Sequence, residues 1–358
     1  MQRLVDAAVG EIREALVDQG RVVALRVLRE SDTGRRARWG EIYAARVSKV
    51  DLSRRGAFLD LGLSDQQGFL PLDAKSMARV DGQKPRKLAE GDKVVVVVSR
   101  EAARGKSPNV RLTPDAHPGG KPLRLAQHEA DLGFADARAA DPQTRASIDA
   151  AIEEALARTA PIPGGGGLTI EPTSALVAID VDAGPRAGSK DPERFALDLN
   201  IAAAQEAARQ LRLRSLGGLV AIDFVSMRTA ASARALEVAI KKAFLGDPWG
   251  TRLGALSKFG IFELSRGQLR APLNEVLREP DGRLTPETAA LMALRSIERE
   301  ARSARGREVT AALAPEVKSW LDQNVIDWHS ALSSRIGQRW SITAAPGQAR
   351  DRLDVRTI

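Results

Sequence analysis

The pentapeptide LVAID occurs twice in this chain, at residues 176–180 and 219–223, and it constrains the fold more than any other feature. Each copy has four apolar residues followed by an aspartate, which predicts a strand with a polar end. Residues 191–215, between the copies, have apolar side chains at helical spacing, with Asp191 and Pro192 at the start. The order strand, helix, strand predicts a crossover that makes the two strands parallel. The apolar run in each copy favours strands covered on both faces.

The aspartates that end the two copies, Asp180 and Asp223, are predicted to lie at the same C-terminal edge of the sheet, where α/β sheets place their sites. On neighbouring strands, about 4.8 Å apart, their carboxylates converge and repel, and a hard divalent cation such as Mg²⁺ relieves the repulsion. Asp182 points to the same side and adds a ligand, directly or through water. Such a cation can activate water and stabilise charge on a phosphodiester oxygen. The alternative is that each aspartate begins a turn or caps a helix.

From Glu41 to about Thr113 the pattern changes to short β-like segments separated by glycines and polar residues, which predicts a small closed barrel of five strands, of the OB type. OB barrels bind single-stranded nucleic acid by stacking bases on exposed aromatic rings beside basic side chains. Phe58 and Phe69 lie in consecutive predicted strands and Tyr43 in the strand before, which makes them candidates for RNA contacts. The alternative is that the phenylalanines fill the barrel. The basic residues around them are Arg46, Lys49, Arg54, Arg55, Arg100, Arg104 and Lys106.

Composition narrows the partners and the compartment. The formal charge of +8 favours an anionic partner such as nucleic acid. The chain has no cysteines, which excludes disulfides and thiolate zinc sites and indicates a reducing cytoplasm. The three histidines are not in a metal-ligand spacing, so we expect no zinc cofactor. The N-terminus lacks the apolar core of a signal peptide, and no run approaches the ~18 apolar residues that span a bilayer, so we expect no membrane partner.

The remaining segments are predicted from periodicity. Residues 1–38 are predicted to hold a helix-containing start followed by the strand RVVALRVLRES. A helix is predicted over 144–158, within a spacer rich in Ala, Pro and charge. The C-terminal part alternates a helix at about 286–304, the strand EVTAALA, a helix at about 315–336 and the strand WSITAA. This alternation predicts a small, separate α/β unit.

These motifs resemble the ribonuclease E/G family of bacterial endoribonucleases. The segment EIYAARVSKVDLSRRGAFLDLGLSDQQGFLPLD is similar to its OB domain. The segments GGGGLTIEPTSALVAIDVDAG, LNIAAAQEAARQLRLRSLGGLVAIDFVSM and LSKFGIFELSRGQL resemble its catalytic region in the same order. The resemblance implies an α/β plus β-barrel fold with a ribonuclease-H-like segment at 1–38, an OB-fold RNA-binding domain at 39–115, a shortened spacer with a helix at 116–163, a DNase-I-like α/β catalytic domain at 164–284 and a small α/β domain at 285–358.

The resemblance also implies roles for individual residues. Asp180 and Asp223 match the metal-binding aspartates, and Asp182 stands where the family usually has an asparagine that helps to place the attacking group. Phe58 and Phe69 match the aromatic residues that stack on RNA, and Lys106 approximately matches a basic RNA contact. The implied reaction is hydrolysis of single-stranded RNA with Mg²⁺, or Mn²⁺ in its place, that leaves a 5′-phosphate and a 3′-hydroxyl.

Four departures from the family pattern change these expectations. A family arginine falls on Gly250, and Arg252, two residues on, is a candidate substitute. Ser226 replaces an acid, and REPDGR occupies the place of the cysteines that form a zinc link between subunits. We therefore expect no zinc-bridged dimer, while other modes of oligomerisation stay open. The spacer at 116–163 is far shorter than the corresponding region of the family, which predicts cleavage independent of the 5′ end.

Two other functions compete with a cytoplasmic ribonuclease of this type. If the changes at Asp182, Ser226 and Gly250 have disabled the site, the chain is a catalytically impaired protein that binds single-stranded RNA. The α/β pattern also permits a metal-dependent phosphoesterase acting on a small nucleotide, but the barrel argues against it.

Overall fold

The computed structural model describes residues 1–72, 87–113, 120–126, 139–184, 191–304 and 306–358. Within these residues the chain forms a mixed α/β fold with four sheets, one of which closes into a barrel. Two of the three histidines, His117 and His128, and part of the predicted spacer lie outside the described residues. Among the described helices, none combines the length and the apolar character that a membrane crossing requires.

The N-terminal sheet is an antiparallel meander of β1 (Gln2–Ala8), β2 (Glu11–Asp18) and β3 (Arg21–Arg29), followed by a short 3-10 turn at Glu30–Asp32. The predicted helix at the start of the chain is therefore wrong. Gln19 and Gly20, with φ of 49° and 77°, form the two-residue turn that joins β2 to β3. Positive φ at both turn positions matches the twist of a tight hairpin. The turn between β1 and β2, with Gly10 at a φ of 72°, divides the segment predicted as helical into two strands.

The barrel consists of β4 (Ile42–Asp51), β5 (Gly56–Asp60), β6 (Gln67–Pro71), β7 (Lys93–Arg100) and β8 (Asn109–Leu112). Pairings run from β4 through β5, β6, β8 and β7 back to β4, which closes the barrel. A further strand, β9 (Leu123–Ala126), pairs with β4 from outside this ring. The prediction of a closed, OB-like barrel of five strands is confirmed.

The third sheet contains both copies of the pentapeptide. Its strands are β10 (Thr159–Pro161), β11 (Gly167–Pro172), β12 (Val177–Asp182), β13 (Gly218–Asp223), β14 (Thr251–Leu256) and β15 (Ile261–Arg266). They lie in the order β10-β11-β12-β13-β15-β14, and β12 pairs with β13 in parallel. The long helix α2 (Pro192–Leu213; α1 is described below) makes the crossover between them, as the sequence predicts, and α3 (Ala230–Ala243) follows β13.

Among the described residues, elements pack on only one face of this sheet, so the prediction of strands buried on both faces is wrong. Val177, Ile179, Val220 and Ile222 pack under α2 and α3 in one apolar core. The alternate residues of the same strands face away from the helices, and Leu219 is 61% exposed there. We call this second face the open face of the sheet. Mixed sheets with antiparallel strands can leave one face to solvent, whereas all-parallel sheets rarely do.

The remaining elements are helix α1 and the C-terminal helices and strands. Helix α1 (Pro142–Leu156) is capped by Asp141 and packs on the N-terminal sheet. The C-terminal elements are α4 (Leu273–Leu277), α5 (Pro286–Ser303), β16 (Val309–Leu313), α6 (Pro315–Asp322), α7 (Trp328–Ile336), β17 (Trp340–Ala344) and β18 (Asp354–Thr357). The single helix predicted at 315–336 is two helices, because α6 ends at Asp322, Asn324 adopts a φ of 49°, and Asp327 caps α7.

Candidate functional site

The two pentapeptide aspartates are direct neighbours. In the parallel pairing of β12 with β13, Asp180 is the register partner of Asp223. Residues opposite each other on adjacent strands, about 4.8 Å apart, share a face, so both carboxylates belong to the open face. The two strands therefore bring together the pair of carboxylates that the sequence predicts.

Local interactions fix this register on both sides. Thr173 closes the turn between β11 and β12, accepting the N–H of Leu176 at 3.1 Å through its hydroxyl. Beyond β13, the amide of the buried Asn200 in α2 bonds both backbone groups of Val225, donating to the carbonyl at 2.7 Å and accepting the N–H at 3.0 Å. These bonds hold the backbone two residues after Asp223. Asn200 is a positioning residue that the sequence reasoning missed, although a lone Asn in the alanine-rich helix was a visible signal.

The carboxylates of Asp180 and Asp223 are exposed, and neither makes a hydrogen bond or an ion pair with the described residues. Asp182, two residues further along β12, is exposed on the same face, and its Oδ1 accepts the N–H of Gly184 at 2.8 Å. Asp182 therefore has one oxygen engaged by its own loop and one oxygen free of partners among those residues.

This arrangement fits a magnesium ion held by two carboxylates. Within the part of the chain that the structure describes, no three His, Cys, Asp or Glu side chains are placed to hold a metal together. Mg²⁺ is often bound by one or two carboxylates, with water and substrate phosphate filling its octahedron. Asp180 and Asp223 supply that minimal donor set, because their carboxylate oxygens have no partner among the described residues.

The candidate arginine lies on the open face but not beside the aspartates. Arg252 on β14 and Leu219 on β13 are both register partners of Ser265 on β15, so Arg252 lies level with Leu219. Asp223 is four residues further along β13 and two strands away, which separates the two Cα atoms by roughly 16 Å. Arg252 is exposed and has no partner among the described side chains. The structure therefore does not bring Arg252 to the carboxylate pair.

The barrel carries the second group of predicted residues. Phe58 and Phe69 are register partners on β5 and β6, and their half-buried rings meet edge to face with centroids 5.4 Å apart. The guanidinium of Arg54 lies 5.7 Å from the Phe58 ring, within the range of a cation–π contact. A shallow depression surrounds these rings. Its other lining residues are Arg100, Gly105, Lys106, Ser107 and Asn109.

The cations of this depression differ in whether they are already engaged by hydrogen bonds. Arg100 donates to the Ser107 carbonyl at 3.2 Å and to Asn109 Oδ1 at 3.0 Å, and burial lowers the pKa of Arg100. Lys106 is exposed, and its ammonium has no partner within the described ranges. Lys106 is thus available to an anion beside the aromatic pair, whereas Arg100 mainly holds the loop. Asn109 lies in β8, a strand too short for the sequence pattern to reveal.

Tyr43 does not belong to this surface, and its prediction as an RNA contact is wrong. Its ring is 1% exposed inside the barrel, and its hydroxyl donates to Glu41 Oε2 at 2.6 Å. Burial and the neighbouring Glu41 carboxylate raise the pKa of Tyr43 above its ordinary value. A ring enclosed by the barrel core cannot stack on a base. The strand pattern could not reveal this, because the inward face of β4 is decided by barrel closure.

The barrel loop approaches the sheet at the start of β13. A guanidinium nitrogen of Arg104 lies 3.8 Å from where a Cβ on Gly218 would be, at the start of β13. Lys106 is two residues from Arg104 in the same loop, and Asp223 ends β13 five residues after Gly218, or roughly 17 Å along the strand. The aromatic depression and the aspartate pair therefore lie at opposite ends of β13.

Comparison with known proteins agrees with these features. The profile of the Ribonuclease E/G family matches residues 128–269. Ribonuclease E of Escherichia coli (strain K12) is 36% identical over 181 residues, which cover 49% of this chain and 17% of that protein. A chloroplastic ribonuclease E/G-like protein of Arabidopsis thaliana is 35% identical over 37% of this chain and 14% of its own length. Ribonuclease G of Salmonella typhimurium (strain SL1344) is 32% identical over 36% of this chain and 27% of its own length.

Fold and site together define a mixed α/β protein in which an OB-like barrel accompanies a sheet with paired carboxylates. The matched segment contains that sheet from β10 to β15, including both aspartates. Residues 128–269 of the chain thus belong to the ribonuclease E/G family. It spans less than a third of the length of each of the three relatives named above.

Proposed function

We propose that this protein is a metal-dependent endoribonuclease that cleaves single-stranded RNA in RNA processing or decay. The observation that carries the proposal is the register pairing of Asp180 with Asp223 on the open face of the sheet. Membership of the ribonuclease E/G family and the basic, aromatic depression on the barrel support it. The ribonuclease-H-like and DNase-I-like relationships of residues 1–38 and 164–284, and a cytoplasmic location, belong to the same proposal.

Asp180 and Asp223 would hold Mg²⁺, or Mn²⁺ in its place. A bound magnesium ion would supply an activated water and neutralise charge on the scissile phosphate. The pair stands at the exposed end of β12 and β13, so both ends of a single strand of RNA could leave the site. Asp182, with one oxygen fixed by Gly184, would offer its other oxygen to a water next to the pair.

The barrel would position the RNA. Phe58 and Phe69 offer stacking surfaces, and Lys106 meets the backbone beside them, which together bind RNA with little sequence preference. Arg104 of the barrel loop, whose guanidinium lies near Gly218 at the start of β13, would extend the positive charge toward the sheet. An RNA strand bound this way would run from the barrel to the aspartates.

Cleavage is proposed to be independent of the 5′ end. The basis is the shortness of the segment 116–163, whose Arg-Thr pair, Arg158 and Thr159, stands at the start of β10, where Arg158 donates to Glu171 Oε1 at 2.9 Å. The described part of that segment contains α1 and β10, and α1 packs on the N-terminal sheet. RNAs that differ only in a 5′-monophosphate or a 5′-hydroxyl should be cut at similar rates.

The test is cleavage of an A/U-rich single-stranded RNA with Mg²⁺ by wild type, Asp180→Asn and Asp223→Asn. Losing one carboxylate of the pair should lower the rate by about a hundredfold or more, the scale of losing one electrostatic contact to a transition state. Asp198→Asn is the matched control, because Asp198 is an exposed carboxylate on α2, which covers the opposite face of the sheet. Full activity in both site variants would exclude the aspartate pair as the site.

A second function follows from the place of Arg252. Gly250 has no side chain, and Arg252 lies roughly 16 Å from Asp223, so neither supplies a cation next to the carboxylates. If the chemistry needs that cation, the protein binds single-stranded RNA without cutting it. Binding that persists with Mg²⁺ or Mn²⁺ while the RNA stays intact would favour this second function.

A further inference from the structure

The hairpin between β14 and β15 presents an unburied aromatic ring. Gly260 donates its N–H to the Ser257 carbonyl at 3.0 Å, and Ser257 donates its N–H to the Ile261 carbonyl at 2.9 Å. Gly260 has a φ of 86°, which completes the pattern of a three-residue hairpin loop with glycine in the left-handed position. The Ser257 hydroxyl also accepts the N–H groups of Phe259 and Ile261. The turn is therefore well ordered by its own hydrogen bonds.

Phe259, at the tip of this turn, is 76% exposed. Every other phenylalanine in the described ranges is buried or half-buried. The ammonium of Lys258 lies 5.0 Å from the centre of the Phe259 ring, a cation–π distance. The tip thus combines a stacking surface with a positive charge, the pair of features that bind single-stranded nucleic acid on OB barrels.

The tip lies at the aspartate end of the sheet. Ile261 is the register partner of Asp223 on the adjacent strand, and the N–H of Phe224 donates to the Gly260 carbonyl at 3.4 Å. Phe259 is two residues before Ile261, which places its Cα within about 10 Å of the Cα of Asp223. The barrel depression is at the far end of β13, so the tip is a second aromatic and basic feature, separate from Phe58 and Phe69.

We infer that Phe259 and Lys258 form a second RNA contact, which stacks the base flanking the scissile phosphate and pairs with the neighbouring phosphate. The inference rests on the proposed function, because it assigns a strand of RNA to the aspartate pair. The substrate is then held at both ends of β13, by the barrel on one side and by the tip on the other. Phe259 is a positioning residue in this arrangement and takes no part in the chemical step.

The test uses RNA with the fluorescent base 2-aminopurine placed next to the cleavage position. Binding is measured in an Asp223→Asn background, so that the RNA stays intact. Phe259→Ala should abolish the quenching by stacking and weaken binding roughly tenfold, whereas Phe259→Tyr should keep both. Leu245→Ala is the matched control, because Leu245 is an 84% exposed apolar residue just beyond α3. In the active protein, Phe259→Ala should raise KM and leave kcat nearly unchanged.

The outcomes separate this inference from the proposed function. If no protein cuts RNA but quenching still depends on Phe259, hydrolysis fails and the RNA contact stands. If wild type cuts RNA and Phe259→Ala matches it in quenching and KM, the inference is overturned and the proposed function is untouched. If Phe259→Ala changes only the oligomeric state, the tip is a contact between copies of the chain, and the RNA contact is again overturned.

Discussion

The salt dependence of RNA binding should distinguish the contribution of Lys106 from that of Phe58 in the barrel depression. Each RNA phosphate neutralised by a protein cation contributes about 0.7 to the negative slope of log affinity against log salt. Lys106 is the exposed cation of the depression without a partner among the described residues, whereas Arg100 is held by Ser107 and Asn109. Lys106→Ala should therefore reduce the slope by about 0.7. Between 50 and 200 mM salt, its deficit relative to wild type should shrink about 2.6-fold.

Phe58→Ala should behave differently, because it removes a stacking surface and no charge. Stacking contributes about 1–3 kcal/mol per base. Phe58 is half-buried against Phe69, so we expect the lower part of that range, a loss of about 5- to 30-fold in affinity. This loss should be the same at every salt concentration, since no counterion is released or retained.

The assay is fluorescence anisotropy with a labelled single-stranded RNA at four or five salt concentrations. Lys241→Ala controls for net charge, because Lys241 is an exposed cation in the last turn of α3. Tyr43→Phe controls for a mutation inside the barrel and should leave affinity and slope unchanged. A Phe58→Ala protein that binds like wild type, or a Lys106→Ala protein with an unchanged slope, would refute the assignment of the depression to RNA.

Two further predictions concern stability. The carboxylate of Asp247 accepts from the buried guanidinium of Arg266 at 2.9 and 3.1 Å. Asp247→Ala leaves that guanidinium buried and unpaired, and should lower the free energy of unfolding measured in urea by about 3–5 kcal/mol. A loss below about 1 kcal/mol would contradict a tightly paired charge. The Ser232 hydroxyl and the N–H groups before α3 lower the pKa of Glu193 from 4.5 to about 2. The stability from ionised Glu193 is therefore complete above pH 4.5 and lost as the pH falls toward 2. Glu193→Gln should make the thermal unfolding midpoint nearly independent of pH across that window. If the midpoints of both proteins change with pH in parallel, Glu193 is not the group responsible.

The sequence predicts the aspartate pair because few physical choices are open there. Two apolar runs joined by one long helix can form only a right-handed parallel crossover, and equal length before each aspartate then sets the register. The barrel is predicted for a similar reason, since short alternating strands must close to satisfy their edges. Residues within one such unit are therefore predictable from local pattern.

The errors arise where burial depends on distant parts of the chain. Strands β1 and β2 place charged residues inside, where Arg13 on β2 donates to Asp6 on β1 at 2.6 Å. These buried charges hide the alternation that marks a strand, and a helix was predicted instead. Tyr43 and the open face of the sheet follow the same rule, because each depends on which element packs against a strand.

The buried contacts of α2 limit how the sheet that carries Asp180 and Asp223 could be moved between proteins. Arg209 bonds Glu206 within α2, the Val22 carbonyl in the N-terminal sheet and Glu154 in α1. Leu213 shares a core with Ala15 of that sheet and with Leu273 beyond the family match. A fragment cut to the matched residues 128–269 would expose these groups to water. The sheet that carries Asp180 and Asp223 therefore depends on both flanking parts of the chain. Transferring it to another protein would require those parts as well.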